Sequence, residues 1–237
     1  MRIIIVRHAE PDYPNHTLTE KGFREAKYLG EYYKDAKFDK IYSSPLPRAK
    51  LTAEALANGK EVIVKNFLEE FWHPVNIEGN PERHNWDFFP SEIERHPEIY
   101  SDNFLTSEIG KSANLKELYD EVINEFDQLI ESHGYKREQG HYRVIKGNKD
   151  TIVIVCHLGM MSLLMSRLCH IPYTTIAQHF FVVPSGVTTL VSEEREGGIA
   201  QFRCREFGNF DHLKIHNEPF SKFGSFAETF DSDDEMH

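Results

Sequence analysis

Cysteine is scarce. The chain holds three, Cys156, Cys169 and Cys204, set far apart among apolar neighbours. An odd, widely spaced set argues against a disulfide framework, and no Cys-x-x-Cys pair offers zinc spacing. Basic charge is in deficit as well: 27 Lys and Arg stand against 38 Asp and Glu, a formal net charge of −11. That excludes a general nucleic-acid surface and requires any anionic ligand to be met by a local basic pocket. No apolar run approaches the ~20 residues of a membrane span, and the N-terminal one is too short for a secretory signal. These absences fit a cytoplasmic protein with no membrane and no nucleic-acid partner. Internal repeats and a second core are also lacking. What remains is 40% hydrophobic and 27% charged over 237 residues, enough for one sizeable core.

The thirteen histidines are scattered. His212 and His216 have helical spacing but no third ligand, so they read as two surface histidines rather than a metal site.

The stretch that organises the chain is Met1–Glu10, MRIIIVRHAE. Ile3–Val6 is β-branched, too short for a helix and apolar on both faces, as in a strand buried within a parallel sheet. It ends at Arg7 and His8, and Pro11 forbids its continuation. Open α/β sheets bind ligands at that carboxyl edge. A loop follows, then a helix to about Asp35, capped by Thr17 (with Glu20) or Thr19 and burying Leu18, Phe23, Ala26, Leu29 and Tyr33. Lys40–Ser43 is a second strand. Ser44 as N-cap and Pro45 at the first position start a helix that carries Arg48 near its N-terminus, a favourable site for an anion. Glu61–Lys65 is a third strand, followed by Glu69 and Glu70 wedged between Phe67, Leu68, Phe71 and Trp72. A carboxyl in such company has its pKa raised, as a general acid requires.

Residues 73–148 read as a helical and irregular insertion roofing the sheet edge, with Leu115–Ser132 its clearest helix. Thr151–Cys156 repeats the opening pattern and ends at His157, before a helix from about Met160 to His170. Ile171–Val183 is a candidate homodimer surface, equally explained by burial against the sheet. Val187–Ser192 and Ile199–Arg205 form an antiparallel edge hairpin, and the chain from Phe207 is polar and loop-like. The fold class is therefore α/β, a three-layer α/β/α sandwich with a mainly parallel central sheet. Residues 1–230 form one domain, and 231–237 an acidic, disordered tail.

Arg7, His8, Arg48, Glu70 and His157 thus converge on one crevice: two guanidiniums, two imidazoles and one carboxyl in an acidic protein. The chemistry they suit is transfer of a phosphoryl group, with one histidine as nucleophile. Several motifs, in order over about residues 1–167, make the sequence resemble the histidine phosphatase (phosphoglycerate mutase-like) superfamily. They are Val6-Arg-His-Ala9, Leu18-Thr-Glu-Lys-Gly22, Ser43-Ser-Pro-Leu-Pro-Arg-Ala49, Leu68-Glu-Glu70 and Val155-Cys-His157. Trp86-Asp87, His179-Phe-Phe181, Pro184-Ser-Gly-Val-Thr-Thr-Leu190 and Glu193–Gly197 resemble a subgroup of small bacterial members. The resemblance implies that His8 carries the phosphoryl group, that Arg7, Arg48 and His157 hold its oxygens, and that Glu70 rather than Glu69 exchanges the proton. It implies no metal and no other cofactor. Asn15, His73, Trp86 and Ser185 are the expected substrate contacts, with Trp72, Arg83 and His84 as further roof residues. The sequence departs from the family pattern at Ala9, at Pro14 and Asn15, and at Leu158. The reading is a metal-independent phosphomonoesterase acting on a small organic phosphate. The alternatives are mutase-type transfer, which needs more basic residues than the Glu10–His16 loop offers, and a non-catalytic phospho-ligand module.

Overall fold

A computed structural model describes residues 1–230; the expected acidic tail, Asp231–His237, lies outside the described residues. The opening strand β1 (Arg2–Arg7) is followed by the short β2 (Pro11–Asp12) and β3 (Thr17–Leu18), α1 (Glu20–Tyr32), β4 (Lys40–Ser43), α2 (Pro47–Ala57) and β5 (Ile63–Val64). The middle of the chain forms the hairpin β6 (Val75–Ile77) and β7 (Asn80–Arg83), then α3 (Pro90–Arg95), α4 (Glu108–Lys111), α5 (Leu115–Ser132), β8 (Tyr135–Glu138) and β9 (His141–Val144). The last part comprises β10 (Thr151–Cys156), α6 (Leu158–Cys169), α7 (Tyr173–His179), β11 (Val187–Glu196), β12 (Ile199–Asn209) and α8 (Asp211–Ile215).

One 8-stranded sheet runs β5-β4-β10-β1-β11-β12-β9-β8. Alternation along β1 builds the two faces. Ile3 and Ile5 join Ile152, Ile154, Phe126 of α5 and Leu164 of α6 in one core. Ile4 and Val6 join Leu29 of α1, Ala53 and Leu56 of α2, Val153 and Val155 in the other. Each of these large aliphatic side chains stabilises the layers by roughly 1.5–3 kcal/mol on burial. The segment expected to insert as a roof contributes Val75, Ile77, Phe88 and Phe104 to the same core as Ile3 and Ile5.

The sheet is mixed rather than mainly parallel. β5, β4, β10 and β1 pair in parallel, whereas β11, β12, β9 and β8 continue antiparallel. The reason is connection length: tight turns join β8 to β9 and β11 to β12, and such turns can make only antiparallel pairs. The β11–β12 hairpin also lies inside the sheet, not at its edge, because β9 and β8 extend it.

Four local expectations change. Thr19 alone caps α1, its hydroxyl accepting from the Gly22 N–H at 2.9 Å, while Thr17 is spent in β3. Phe23 is 49% exposed and Glu25 is buried in its stead, because the Glu25 carboxyl accepts the Glu10 N–H at 2.8 Å. α2 starts with Pro47, not Pro45, at its first position. His212 is buried and shares a 2.8 Å hydrogen bond with Ser185 Oγ; only His216, stacked on Tyr28, stays near the surface.

Candidate active site

β1 and β10 run in register, with Arg7 opposite Cys156. The next residue on each strand is a histidine, so His8 and His157 emerge side by side, ring centroids 5.0 Å apart. β4 lies beside β10 and passes into Ser44 and then α2, which brings Arg48 alongside. Arg7, His8, Arg48 and Glu70 line a cleft of about 1740 Å3, and His157 is buried beside His8.

The tautomer of His8 follows from its partners. Nδ1 is 2.7 Å from the Ala9 carbonyl, which can only accept; the Arg48 Nε–H lies 3.3 Å from Nε2 and can only donate. Nδ1 therefore holds the proton and Nε2 presents a lone pair. Burial, then the charges of Arg7 and Arg48, push the pKa of His8 well below the ordinary range. The imidazole is neutral at physiological pH, as a nitrogen nucleophile must be.

The Ser44 hydroxyl accepts from the Leu46 N–H and lies 2.8 Å from His157 Nε2. If Ser44 donates to Nε2, His157 Nδ1 carries the proton. Nδ1 is buried and has no acceptor among the described residues. Burial and the neighbouring cations also lower the pKa of His157, so it too is neutral.

Arg7 is oriented by two backbone carbonyls, Val182 at 2.6 Å from Nη1 and Phe223 at 3.1 Å from Nη2. Its Nε–H, like the Trp86 indole N–H, is buried with no acceptor among the described residues. Burial lowers the Arg7 pKa to about 10, and it remains a cation at neutral pH. Arg48 lies 5.0 Å over the Tyr13 ring.

Glu70 also lines the cleft. Its Oε1 accepts the Met160 N–H, in the first turn of α6, and the Phe71 N–H, each at 2.9 Å. Burial raises its pKa, against the lowering pull of those N–H groups and of Arg7 and Arg48. Gly159 makes this packing possible. A Cβ there would stand 2.7 Å from Glu70 Oε1 and 2.8 Å from Trp86 Nε1.

All five groups expected at the crevice are therefore together. Of the expected substrate contacts, Trp86 lines the cleft, as do Trp72, Arg83 and His84. Three others do not line it. Asn15 sits on an exposed turn, its amide donating to Asp12. His73 packs edge-on against Phe71, and Ser185 is buried against His212. Sequence reading missed Tyr13, His179 and the C-terminal Phe223 and Gly224, which all line the cleft. The polar composition after Phe207 gave no sign of this return.

Residues 3–205 match the family model described as Histidine phosphatase superfamily (branch 1). The chain belongs to that superfamily. Among histidine phosphatases, phosphoserine phosphatase 1 of Hydrogenobacter thermophilus is 33% identical over 103 residues, 37% of this chain and 49% of that protein. The chain thus spans about half the length of that relative. The adenosylcobalamin/alpha-ribazole phosphatase of Salmonella typhimurium is 28% identical over 77% of this chain and 86% of its own length. Among solved structures, phosphoserine phosphatase of Entamoeba histolytica in complex with 3-phosphoglyceric acid has a TM-score of 0.57 at 25% identity, covering 90% of this chain and 98% of that one. The alpha-ribazole phosphatase of Shigella flexneri has a TM-score of 0.57 at 21% identity, covering 89% and 97%; at that identity the likeness speaks for the fold alone. This histidine phosphatase thus shares the architecture with relatives named as phosphatases. No helix among the described residues is long and apolar enough to cross a membrane.

Proposed function

We propose that the chain hydrolyses phosphate monoesters of small organic alcohols, without a metal, through a phosphohistidine on His8. The observation that carries this reading is the set of buried nitrogens beside His8 and Glu70 that have no hydrogen-bond partner among the described residues: Arg7 Nε, His157 Nδ1 and Trp86 Nε1. Buried donors without acceptors are costly, by about 1–3 kcal/mol each, and need a reason. A tetrahedral anion with several acceptor oxygens supplies one.

In the first step Nε2 of His8 attacks phosphorus. The N–P bond forms as the bond to the leaving oxygen breaks, and Glu70, in its protonated form, which burial favours, gives that oxygen its proton. Arg7, Arg48 and the His157 N–H hold the remaining oxygens and offset their charge, the compensation phosphoryl transfer needs most. In the second step Glu70, now a carboxylate, takes a proton from water. That water attacks phosphorus, the N–P bond breaks, and His8 and inorganic phosphate are released.

The test is hydrolysis of p-nitrophenyl phosphate in EDTA. The reading expects turnover that added Mg2+ does not raise and that His8→Ala abolishes. Turnover strictly dependent on Mg2+, or a His8→Ala variant with most of the rate, contradicts it. Conversion of 3-phosphoglycerate to its isomer faster than its hydrolysis favours the mutase alternative.

A further inference from the structure

The nucleophile is held by its backbone as well as by its ring. The His8 N–H donates to the Cys156 carbonyl at 2.9 Å, and the His8 carbonyl accepts the Ser185 N–H at 3.1 Å. The next N–H, that of Ala9, donates to the Thr52 hydroxyl at 3.0 Å. A peptide unit is planar, so bonds to both its oxygen and its nitrogen fix the tilt of the one between His8 and Ala9. The peptide after Ala9 is held in the same way. Its carbonyl lies 2.7 Å from His8 Nδ1, and its N–H, that of Glu10, donates to Glu25 at 2.8 Å. The Ala9 methyl is buried between the two, in a small cluster with Leu18 and Ala26.

Of the bonds on His8 and the peptide that follows it, the one from Thr52 depends on a side chain. The Cys156 carbonyl and the Ser185 N–H are backbone groups that almost any residue supplies. Thr52 is buried in α2, one turn beyond Arg48, and its hydroxyl donates to the Arg48 carbonyl at 2.7 Å. A helix threonine bonded back to the carbonyl four residues earlier is ordinary. Here that bond commits the hydroxyl proton to Arg48 and leaves the oxygen lone pairs for Ala9, 43 positions away. One buried hydroxyl thus ties the turn that carries Arg48 to the residue after the nucleophile. Without it the Ala9 N–H, itself buried, has no acceptor, a costly state that a turn of the peptide relieves.

We infer that Thr52 is a positioning residue for His8: its hydroxyl fixes the peptide that leads to the Ala9 carbonyl, and that carbonyl keeps the proton on Nδ1 and the lone pair on Nε2. The inference rests on the phosphohistidine reading above. Thr52 itself does not line the cleft. Its loss frees the Ala9 carbonyl from Nδ1, and the ring proton then divides between the two nitrogens. A ring with its proton on Nε2 has no lone pair there to offer phosphorus.

Thr52→Val replaces the hydroxyl by a methyl of similar size, and Thr52→Ser keeps it. Three readouts separate aim from general damage. The kcat/KM for p-nitrophenyl phosphate reports phosphoryl transfer to His8, competitive inhibition by inorganic phosphate reports the anion pocket, and nitrogen NMR of the His8 ring reports its tautomer. Thr52→Val should lose about 10²-fold in kcat/KM, the cost of a misaimed reacting group, and should no longer hold His8 with its proton on Nδ1. Inhibition by phosphate should be unchanged, because the backbone bonds of α2 still hold Arg48. Thr52→Ser should match the parent in all three. Thr52→Ala also removes the hydroxyl, without adding bulk against the Ala9 N–H, and decides in the same way if the valine variant does not fold. A valine or alanine variant with the parent kcat/KM or the parent tautomer, one whose phosphate inhibition weakens as much as its kcat/KM, or a serine variant equally impaired overturns the inference alone. A parent protein that turns over no p-nitrophenyl phosphate, or does so with no phosphoryl group on His8, overturns the phosphohistidine reading and this inference with it.

Discussion

Gly159→Ala adds one methyl group where the structure has room for none. The new Cβ would lie 2.7 Å from Glu70 Oε1 and 2.8 Å from the Trp86 indole nitrogen. Real carbon–oxygen contacts do not close to that distance, so the carboxyl must move by several tenths of an ångström. Moving it loosens the two 2.9 Å hydrogen bonds from Met160 and Phe71 that aim it. The helix itself should tolerate the change: Gly159 is the second residue of α6, and Ala is favoured over Gly in helices by about 1 kcal/mol. Loss of activity would therefore not reflect unfolding. A misplacement on the order of 1 Å costs about 10²-fold in rate, within the ~10²–10⁴-fold that a general acid contributes. The effect should depend on the leaving group. An alkyl phosphate, whose alcohol must be protonated as it departs, should lose about 10²-fold in kcat/KM, which reports phosphoryl transfer to His8 and not the later hydrolysis that both esters share. p-Nitrophenyl phosphate, whose phenolate leaves unaided, should lose much less. Steady-state kinetics on both esters, with a thermal melt as control, decide it. Equal losses on both esters, or an alkyl phosphate rate within a few-fold of the parent, would refute the assignment of Glu70 as proton donor.

The remaining predictions follow the same site outward. Activity should fall at low pH as His8 gains a proton on Nε2, and fall again as pH rises through the elevated pKa of Glu70. Glu70→Gln should remove the upper limb and cut kcat for alkyl esters by ~10²–10⁴-fold, seen in pH–rate profiles. Ser44→Ala deletes the 2.8 Å partner that fixes the His157 tautomer and should lower kcat/KM by roughly tenfold, a hydrogen bond of about 1.4 kcal/mol; an unchanged value contradicts the role given to His157. Glu25 is buried with its pKa raised from 4.5 to about 7. Between those pH values the folded chain keeps a proton that the unfolded chain has released. Its contribution to stability therefore falls as pH rises from 4.5 to 7. Glu25→Gln should gain up to ~3 kcal/mol at pH 8 and little at pH 4, read from denaturant midpoints. A gain independent of pH counts against the buried carboxyl as its cause.

The parts of this account legible in the sequence share a physical cause. Ile3–Val6 and Thr151–Cys156 are apolar on both faces, and a charged or titratable residue at the end of each marks where a buried strand surfaces. Arg7, His8 and His157 follow from that pattern, and Arg48 from its place just inside a helix after a strand. Glu70 needed more: composition alone could not separate it from Glu69, and the resemblance chose between them. The structure supplies the physical difference, since Oε1 of Glu70 reaches the first turn of α6. What sequence reading missed arises from contacts between distant segments. Phe223 reaches Arg7 across 216 positions, from a stretch too polar to suggest a role in a cleft. Glu25 and Phe23 exchange places because a backbone N–H at Glu10 needs an acceptor, which hydrophobic periodicity does not register. His212 is buried for a similar reason, with Ser185 as its partner.

The central claim is that His8 carries the phosphoryl group, and the most direct measurement is rapid quench into alkali followed by peptide mapping. With p-nitrophenyl phosphate in excess, the account predicts a burst of nitrophenol matched by an acid-labile, alkali-stable phosphoryl group on His8 and absent from His8→Ala. A burst with His8 unmodified, or with the phosphoryl group on another residue, would contradict it.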